Sequence, residues 1–474
     1  MEETQSRQEP GAAPTRPYVP GEERGLSPSP AGETDSRPGT APEETESAPA
    51  EPEAASTPEA AGEPESGGEK KALSNDAVTD HTASLWRYRP VPQEEPEPAP
   101  EYRCCHRQYP GSTVTAAGVR GKKHKHEGSN CDDWFETAQY DSVTFIAVSD
   151  GAGSKKLSRI GARVSCRAAV GCLVTGYEEL VKSVPDFESG LRRELSDPAC
   201  QDGCGRLAQL VQQAVTKAYE AVEAAWYERA ADPVYTGALG RRPALRDFSG
   251  TLLLAVIVPI CPETKEHLIV GCQVGDGMIA VLNSQGDFAS SLRLLGVPDS
   301  GAYSGETDFL TSPQVLDAEA LQKRTMLFRR PADTVLVMSD GVSDDYFPNE
   351  TQMRRLYDDL VVNGVIDTGR TRLTLATASP EELSLFKRLP DPPAYPWVND
   401  QSVKVPLHYT KRILETTGST LETLWDDPRL LDLATAELRW LEETPDPAER
   451  LRIWLDNYVE RGSFDDRTLV IARM

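Results

Sequence analysis

Basic charge is scarce in this chain. Across 474 residues, 50 Lys and Arg face 75 Asp and Glu, for a formal net charge of −25. That balance argues against a nucleic-acid partner, because a basic face needs clustered Lys and Arg to meet phosphates. Long apolar runs are missing too. The longest, Thr251–Ile260, has about ten residues, against roughly 20 for a spanning helix. The opening Met1-Glu2-Glu3-Thr4 has neither the basic nor the apolar segment of a secretory leader. The expectation is a cytoplasmic protein without a membrane partner. Paired cysteines are lacking: the nine run from Cys104 to Cys272, and no second Cys/His pair at finger spacing follows Cys104-Cys105 or Cys200/Cys204. This argues against structural zinc and reads as thiols in a reducing compartment.

Aromatics are nearly absent from the first 100 residues, where only Tyr18, Trp86 and Tyr88 occur among 17 prolines, 21 acidic and 8 basic residues. A segment of that composition buries too little apolar surface to offset the entropy of ordering. Residues 1–100 are therefore expected to be a disordered acidic tail, serving as a spacer, a docking segment or a phosphorylated regulatory arm. From about residue 101 the texture changes. Val143–Ser149, Thr251–Val258, His267–Val274, Met278–Leu282, Thr334–Ser339 and Arg467–Arg473 read as strands, and Arg206–Arg229 reads as a helix. Gly275-Asp276-Gly277 reads as a tight turn between two of those strands. Residues 375–445 read as an extra, mostly helical element. Beyond it, Asp446 and Pro447 open a last helix with Leu451, Trp454 and Tyr458 on one face, stopped by Gly462. The fold class expected is α+β with largely antiparallel sheets.

The chemistry-bearing feature is a repeated strand ending. VTFIAVS and TVLVMS both run into Ser-Asp-Gly, at Asp150 and Asp340; Asp132-Asp133 lies upstream of the first, and Asp465-Asp466 precedes the closing strand. One Asp-Gly after a strand is ordinarily a turn, and one Asp pair is ordinarily solvated surface. Together, carboxylates at strand ends converge on one rim of a sheet, where they must take up protons or bind cations. Hard oxygen donors suit Mg²⁺ or Mn²⁺.

In order and spacing these residues resemble the metal-dependent serine/threonine protein phosphatases of type 2C, especially the bacterial branch. Six segments carry the resemblance, over roughly 105–350 and 450–474: Gly128–Asp133, Val148–Gly153, Asp247–Thr251, Val274–Gly277, Met338–Asp344 and Asp465–Thr468. It implies a sandwich of two antiparallel β-sheets flanked by α-helices, with a helical insertion before the last strand. The phosphatase domain would span 101–474.

By position, the resemblance implies that Asp150 bridges two Mn²⁺ or Mg²⁺ ions and that the Gly151 carbonyl binds one of them. Asp340 and Asp465 would complete the pair of ions. Asp133, and with it Asp132, would hold metal-bound waters, and Asp247 would recruit a third ion. Asp276 is read as shaping its turn. The implied reaction is hydrolysis of phosphoserine or phosphothreonine by a water activated between two ions about 4 Å apart. The partners implied are a phosphorylated protein substrate and a cognate serine/threonine kinase pathway, with the chain acting as a monomer.

The sequence departs from the family at three places. Gly128 stands where an Arg commonly holds the substrate phosphate, so that role is either vacant or taken by Lys125, His126 or another residue. Ala152 stands where many eukaryotic members carry His, and Asp466 stands for the usual Asn. A catalytically weak regulatory protein, or a hydrolase of small phosphate esters, are the alternative readings.

Overall fold

Strand-forming segments of the chain sort into two antiparallel sheets. The computed structural model describes residues 87–284, 291–296, 308–362, 365–367, 446–457 and 464–474. The strands are β1 (Tyr102–Tyr109), β2 (Ser112–Val119), β3 (Trp134–Tyr140), β4 (Val143–Ser149), β5 (Leu252–Cys261), β6 (Glu266–Val274), β7 (Met278–Leu282), β8 (Leu292–Leu294), β9 (Thr325–Pro331), β10 (Thr334–Met338) and β11 (Arg467–Arg473). One sheet has the order β1-β2-β11-β10-β7-β8 and the other β3-β4-β5-β6-β9. The helices are α1 (Lys122–Glu127), α2 (Ser158–Ser183), α3 (Phe187–Leu191), α4 (Pro198–Ala230), α5 (Pro233–Leu239), α6 (Ala318–Arg324), α7 (Asp340–Ser343), α8 (Asn349–Val362) and α9 (Pro447–Asn457).

Alternation along the strands builds three apolar layers. Ile146 and Val148 of β4 point between the sheets, where they meet Leu253, Ala255, Val337 and Val470. Phe145 and Ala147 of the same strand point outward, against Ile160 and Leu173 of α2 and Leu210 of α4. On the other side, Leu336 and Met338 of β10 pack with Leu356 of α8 and Leu451 and Trp454 of α9. Side chains alternate between faces, so β4 and β10, covered on both, are apolar on both faces over Phe145–Val148 and Val335–Met338. Each large aliphatic residue so buried contributes about 1.5–3 kcal/mol.

The α+β expectation and the antiparallel pairing hold. The helix read from Arg206 begins earlier, at Pro198, because Asp197 accepts from the Ala199 amide (2.8 Å) and proline occupies the first turn. The turn Gly275-Asp276-Gly277 does not close a hairpin: β6 and β7 lie in different sheets, so it crosses the sandwich at its rim, with Gly275 at φ +109°. Asp446 caps α9 as expected, its Oδ1 accepting from the Ala448 amide (3.0 Å). Residues 1–86 and 375–445, together with Tyr458 and Gly462, lie outside the described residues.

The stretch 87–100, which composition assigns to the tail, lies against the sandwich instead. The Arg89 amide donates to the Lys125 carbonyl (2.6 Å) and the Ala99 amide to Asn130 Oδ1 (2.9 Å). Glu97 accepts from Arg229 Nε (2.6 Å), and also from Arg163 and Tyr235. Burial raises its carboxyl, but these three donors overcome it and hold the group down at about 2. Composition alone misses this, because the anchors are one acid and several carbonyls rather than apolar side chains.

Candidate active site

Antiparallel register gathers the aspartates on one edge. In the first sheet Met338 pairs with both Met278 and Leu469. The end of β10 therefore lies beside the starts of β7 and β11, and Asp340, Asp276 and Asp465-Asp466 share a rim. In the second sheet Trp134 pairs with Ser149, Val148 with Leu253, and Leu252 with Val274. Asp133 and Asp150 thus fall beside Gly250-Thr251 and the turn that carries Asp276.

The serine of each Ser-Asp-Gly ties its strand end to a neighbouring segment. Ser149 Oγ donates to the Thr251 carbonyl (2.6 Å), while the Asp150 amide donates to Thr251 Oγ1 (2.9 Å). Ser339 Oγ donates to Asp133 Oδ2 (2.8 Å) and accepts from the Thr468 amide (3.0 Å), which joins the two sheets at the site. The glycines are required by close approach: a Cβ on Gly151 would stand 2.6 Å from the Asp132 carbonyl oxygen.

Two groups of possible ligands result. Carboxylate oxygens of Asp150, Asp276 and Asp340 lie within 4.8 Å of one another, and atoms of His124, Asp465 and Asp466 form a second such group. Burial, followed by the charges of Asp340 and Asp133, pushes Asp150 well above the usual carboxylate range. Burial, then Asp276 and Asp133, pushes Asp340 up to about 8. Burial and the Asp466 charge push Asp132 and Asp133 each to about 7. Asp133 Oδ1 is buried with no hydrogen-bond donor. Clustered hard-oxygen donors this short of positive charge fit divalent cations.

Asp150, Asp340, Asp133 and Asp465 are thus brought to one rim, with the Gly151 backbone paired to Gly250 beside them. Two expected residues fall elsewhere. Asp247 is not in either ligand group: its oxygens take a two-pronged ion pair from Arg241 (2.6 and 2.7 Å), and Oδ2 also accepts from the Ala244 amide (2.8 Å). Burial raises its carboxyl, but Arg241 more than offsets this and the group is held low. His126 turns its Nδ1 to the Arg87 amide (3.2 Å), and Lys125 is buried against Asp456.

Two residues stand where the sequence reading does not put them. Asp276 joins the carboxylate cluster instead of only shaping its turn. His124 sits between the closing aspartates, Nδ1 2.9 Å from Asp466 Oδ2 and Nε2 3.5 Å from Asp465 Oδ1. Burial lowers its ring, but Asp466, Asp132 and Asp465 raise it further, to about 10. This explains the Asp at 466. Its Oδ1 accepts from the Gly121 amide (2.6 Å) and its Oδ2 from the Asp132 amide (2.5 Å) as well as facing His124. An Asn would offer one acceptor oxygen where two are used.

His124→Ala is expected to destabilise the fold by about 2–4 kcal/mol in urea titration, because it leaves a buried carboxylate without its cation. The contribution of His124, raised above its ordinary 6.5 to about 10, is whole below pH 6.5 and lost as pH rises through about 10. The wild-type and variant curves should converge above that value.

Two antiparallel sheets packed face to face, flanked by helices, carry these aspartates on one rim. The chain belongs to the protein phosphatase 2C family, whose profile matches residues 120–374. Among solved structures it is similar to the serine/threonine phosphatase Stp1 from Staphylococcus aureus, at 12% identity and TM-score 0.28 over 82% of this chain and 98% of that one. It is also similar to RsbX in complex with magnesium (9%, TM-score 0.27, 78% and 99% covered). A third is the photosystem II phosphatase PBCP (14%, TM-score 0.31, 77% and 99% covered). No curated protein matches the sequence. Among the described residues, no helix is long and apolar enough to cross a membrane.

Proposed function

We propose that the chain is a Mn²⁺- or Mg²⁺-dependent protein phosphatase acting on phosphoserine and phosphothreonine. The observation that carries this reading is the convergence of Asp150, Asp276 and Asp340 within 4.8 Å. Asp150, Asp276, Asp340, Asp465 and the Gly151 carbonyl would hold two ions. When bound, such ions supply activated water and charge neutralisation on the phosphoryl oxygens.

The chain's own residues do the rest. Asp133, fixed by Ser339, orients water from the floor of the site, with Asp132 beside it. His124 holds the Asp465-Asp466 corner in register. Asp247, neutralised by Arg241, is not assigned a third ion. The substrate is a phosphoprotein, so a serine/threonine kinase must act before it.

The test is hydrolysis of a phosphothreonine peptide with Mn²⁺, with and without chelator. Metal-loaded protein that turns over nothing would sink the proposal.

A stability measurement checks the site independently of turnover. Asp132, Asp133 and Asp340 have folded-state pKa values of about 7, 7 and 8, against an ordinary 3.8. The folded chain therefore binds more protons than the unfolded one between those values, and stability falls as pH rises through that window. In chelator, the melting temperature should drop by several degrees between about pH 5 and 8, and Mn²⁺ should restore it most at pH 8. A melting temperature indifferent to Mn²⁺ would remove the metal site.

A further inference from the structure

Beside the aspartate rim lies a surface of the opposite sign. Two loops meet there. The loop after Asp150 runs through Lys155 and Lys156 to α2, and the loop after α5 carries Arg241, Arg242 and Arg246. Their backbones are joined: the Ala152 amide donates to the Ser249 carbonyl (3.0 Å), and the Leu157 amide to the Asp247 carbonyl (3.2 Å). Trp226 Nε1 pins the second loop by donating to the Pro243 carbonyl (3.0 Å), and Arg159 holds the first through the Lys156 carbonyl.

Arg241 is committed to Asp247. Lys156, Arg242 and Arg246 are exposed and Lys155 is half-buried. Among the described residues none of these four has an ion-pair partner. Arg246 also adds to the field that holds Asp247 low, but in a chain of net charge −25 this grouping of cations on one ledge needs a reason.

Their distance from the chemistry supplies one. Gly151 and Gly250 face each other as a bridge pair. Lys155 lies four positions after Gly151 and Arg246 four before Gly250. Four residues span at most about 14 Å. A peptide whose phosphorylated residue sits at the aspartate rim carries its second to fourth neighbours over the same span. Lys155 and Arg246, less than about two Debye lengths from the bridge by this measure, are placed to meet side chains there and not the phosphate itself.

We propose that this ledge selects phosphorylated segments flanked by Asp or Glu two to four residues from the phosphoresidue. The proposal rests on the phosphatase reading and adds the substrate class to it. Exposed ion pairs of this kind act mainly on encounter and affinity, so the preference resides in KM and weakens with salt.

The test uses the full chain with Mn²⁺ on matched phosphothreonine peptides bearing acidic, neutral or basic flanks, and on p-nitrophenyl phosphate. Acidic flanks should raise kcat/KM about tenfold over neutral ones at low salt, and about 0.5 M NaCl should erase the difference. The triple variant Lys156→Glu/Arg242→Glu/Arg246→Glu should shift the preference to basic flanks while p-nitrophenyl phosphate turnover stays unchanged. The alanine triple variant should abolish the preference.

Equal kcat/KM for acidic and neutral peptides in the wild type overturns the proposal. So does a rise in activity on neutral peptides in the charge-reversed variant, which would assign the ledge to the chain's own acidic tail. Absence of turnover on every substrate would count against the phosphatase reading instead. Fluorescence anisotropy of the labelled acidic and neutral phosphopeptides then tests the ledge by binding alone, and equal affinity overturns it.

Discussion

Asp340→Asn is expected to lower kcat/KM on a phosphothreonine peptide by about a thousandfold or more, a loss of about 4 kcal/mol of transition-state stabilisation. The fold should survive. Burial, Asp276 and Asp133 already push the Asp340 carboxyl up to about 8, so the metal-free protein gains by losing this charge. In chelator the melting temperature of the variant should equal or exceed that of the wild type at pH 8, and its rise on adding Mn²⁺ should shrink. Two outcomes oppose this account. Retained activity would remove Asp340 from the site, and a lower metal-free stability would show that the carboxylate holds the structure together.

The second large effect concerns stability. Gly341→Ala places a Cβ 1.9 Å from the backbone oxygen of Asp466 and 3.0 Å from its carbonyl carbon. Neither is the far end of a flexible side chain. To make room, the Asp465-Asp466 corner must separate from the end of β10, breaking the Ser339–Thr468 contact that joins β10 to β11. We expect a loss of about 3 kcal/mol or more in urea denaturation, at the upper end for overpacking, with a parallel loss of Mn²⁺-dependent activity. Gly171→Ala is the matched control, since a Cβ there meets nothing within 4 Å and lies inside α2. It should stabilise by about 0.5–1 kcal/mol. Similar effects in the two variants would show that the tight corner is less constrained than its packing implies.

The features legible in the sequence are those written in local pattern. β4, β7 and β11 are found at their observed bounds, because alternation on a doubly covered strand leaves a continuous apolar run ending at a polar residue. The Ser-Asp-Gly repeat carried Asp150 and Asp340 with it. Asp276 was missed for a topological reason: a Gly-Asp-Gly between adjacent strands reads as a hairpin, and only the allocation of β6 and β7 to opposite sheets makes it a rim residue. Asp247 lies apart from the carboxylate groups for an electrostatic one: Arg241 takes both its oxygens, a pairing recognisable only once Leu245–Phe248 folds as a 3₁₀ turn. The two histidines part company because residues 122–127 form α1. On a helix, positions 124 and 126 differ by about 200° around the axis. His124 therefore turns to the aspartates while His126 turns to the backbone at Arg87. That contact belongs to 87–100, a segment whose composition resembles disorder but whose bonds are to the core.

The place of β11 in its sheet has a consequence for biosynthesis. It lies between β2 and β10, so a ribosome that has delivered β2 must translate everything from Val119 to Arg467 before the gap can close. Until then β2 and β10 each present an open edge, and the rim lacks Asp465 and the corner that seats His124. On the metal site proposed above, the nascent chain has no complete site until Asp465 has been made. Any interruption upstream of β11 releases a chain with two unpaired sheet edges, a form that quality-control proteases and chaperones are equipped to recognise.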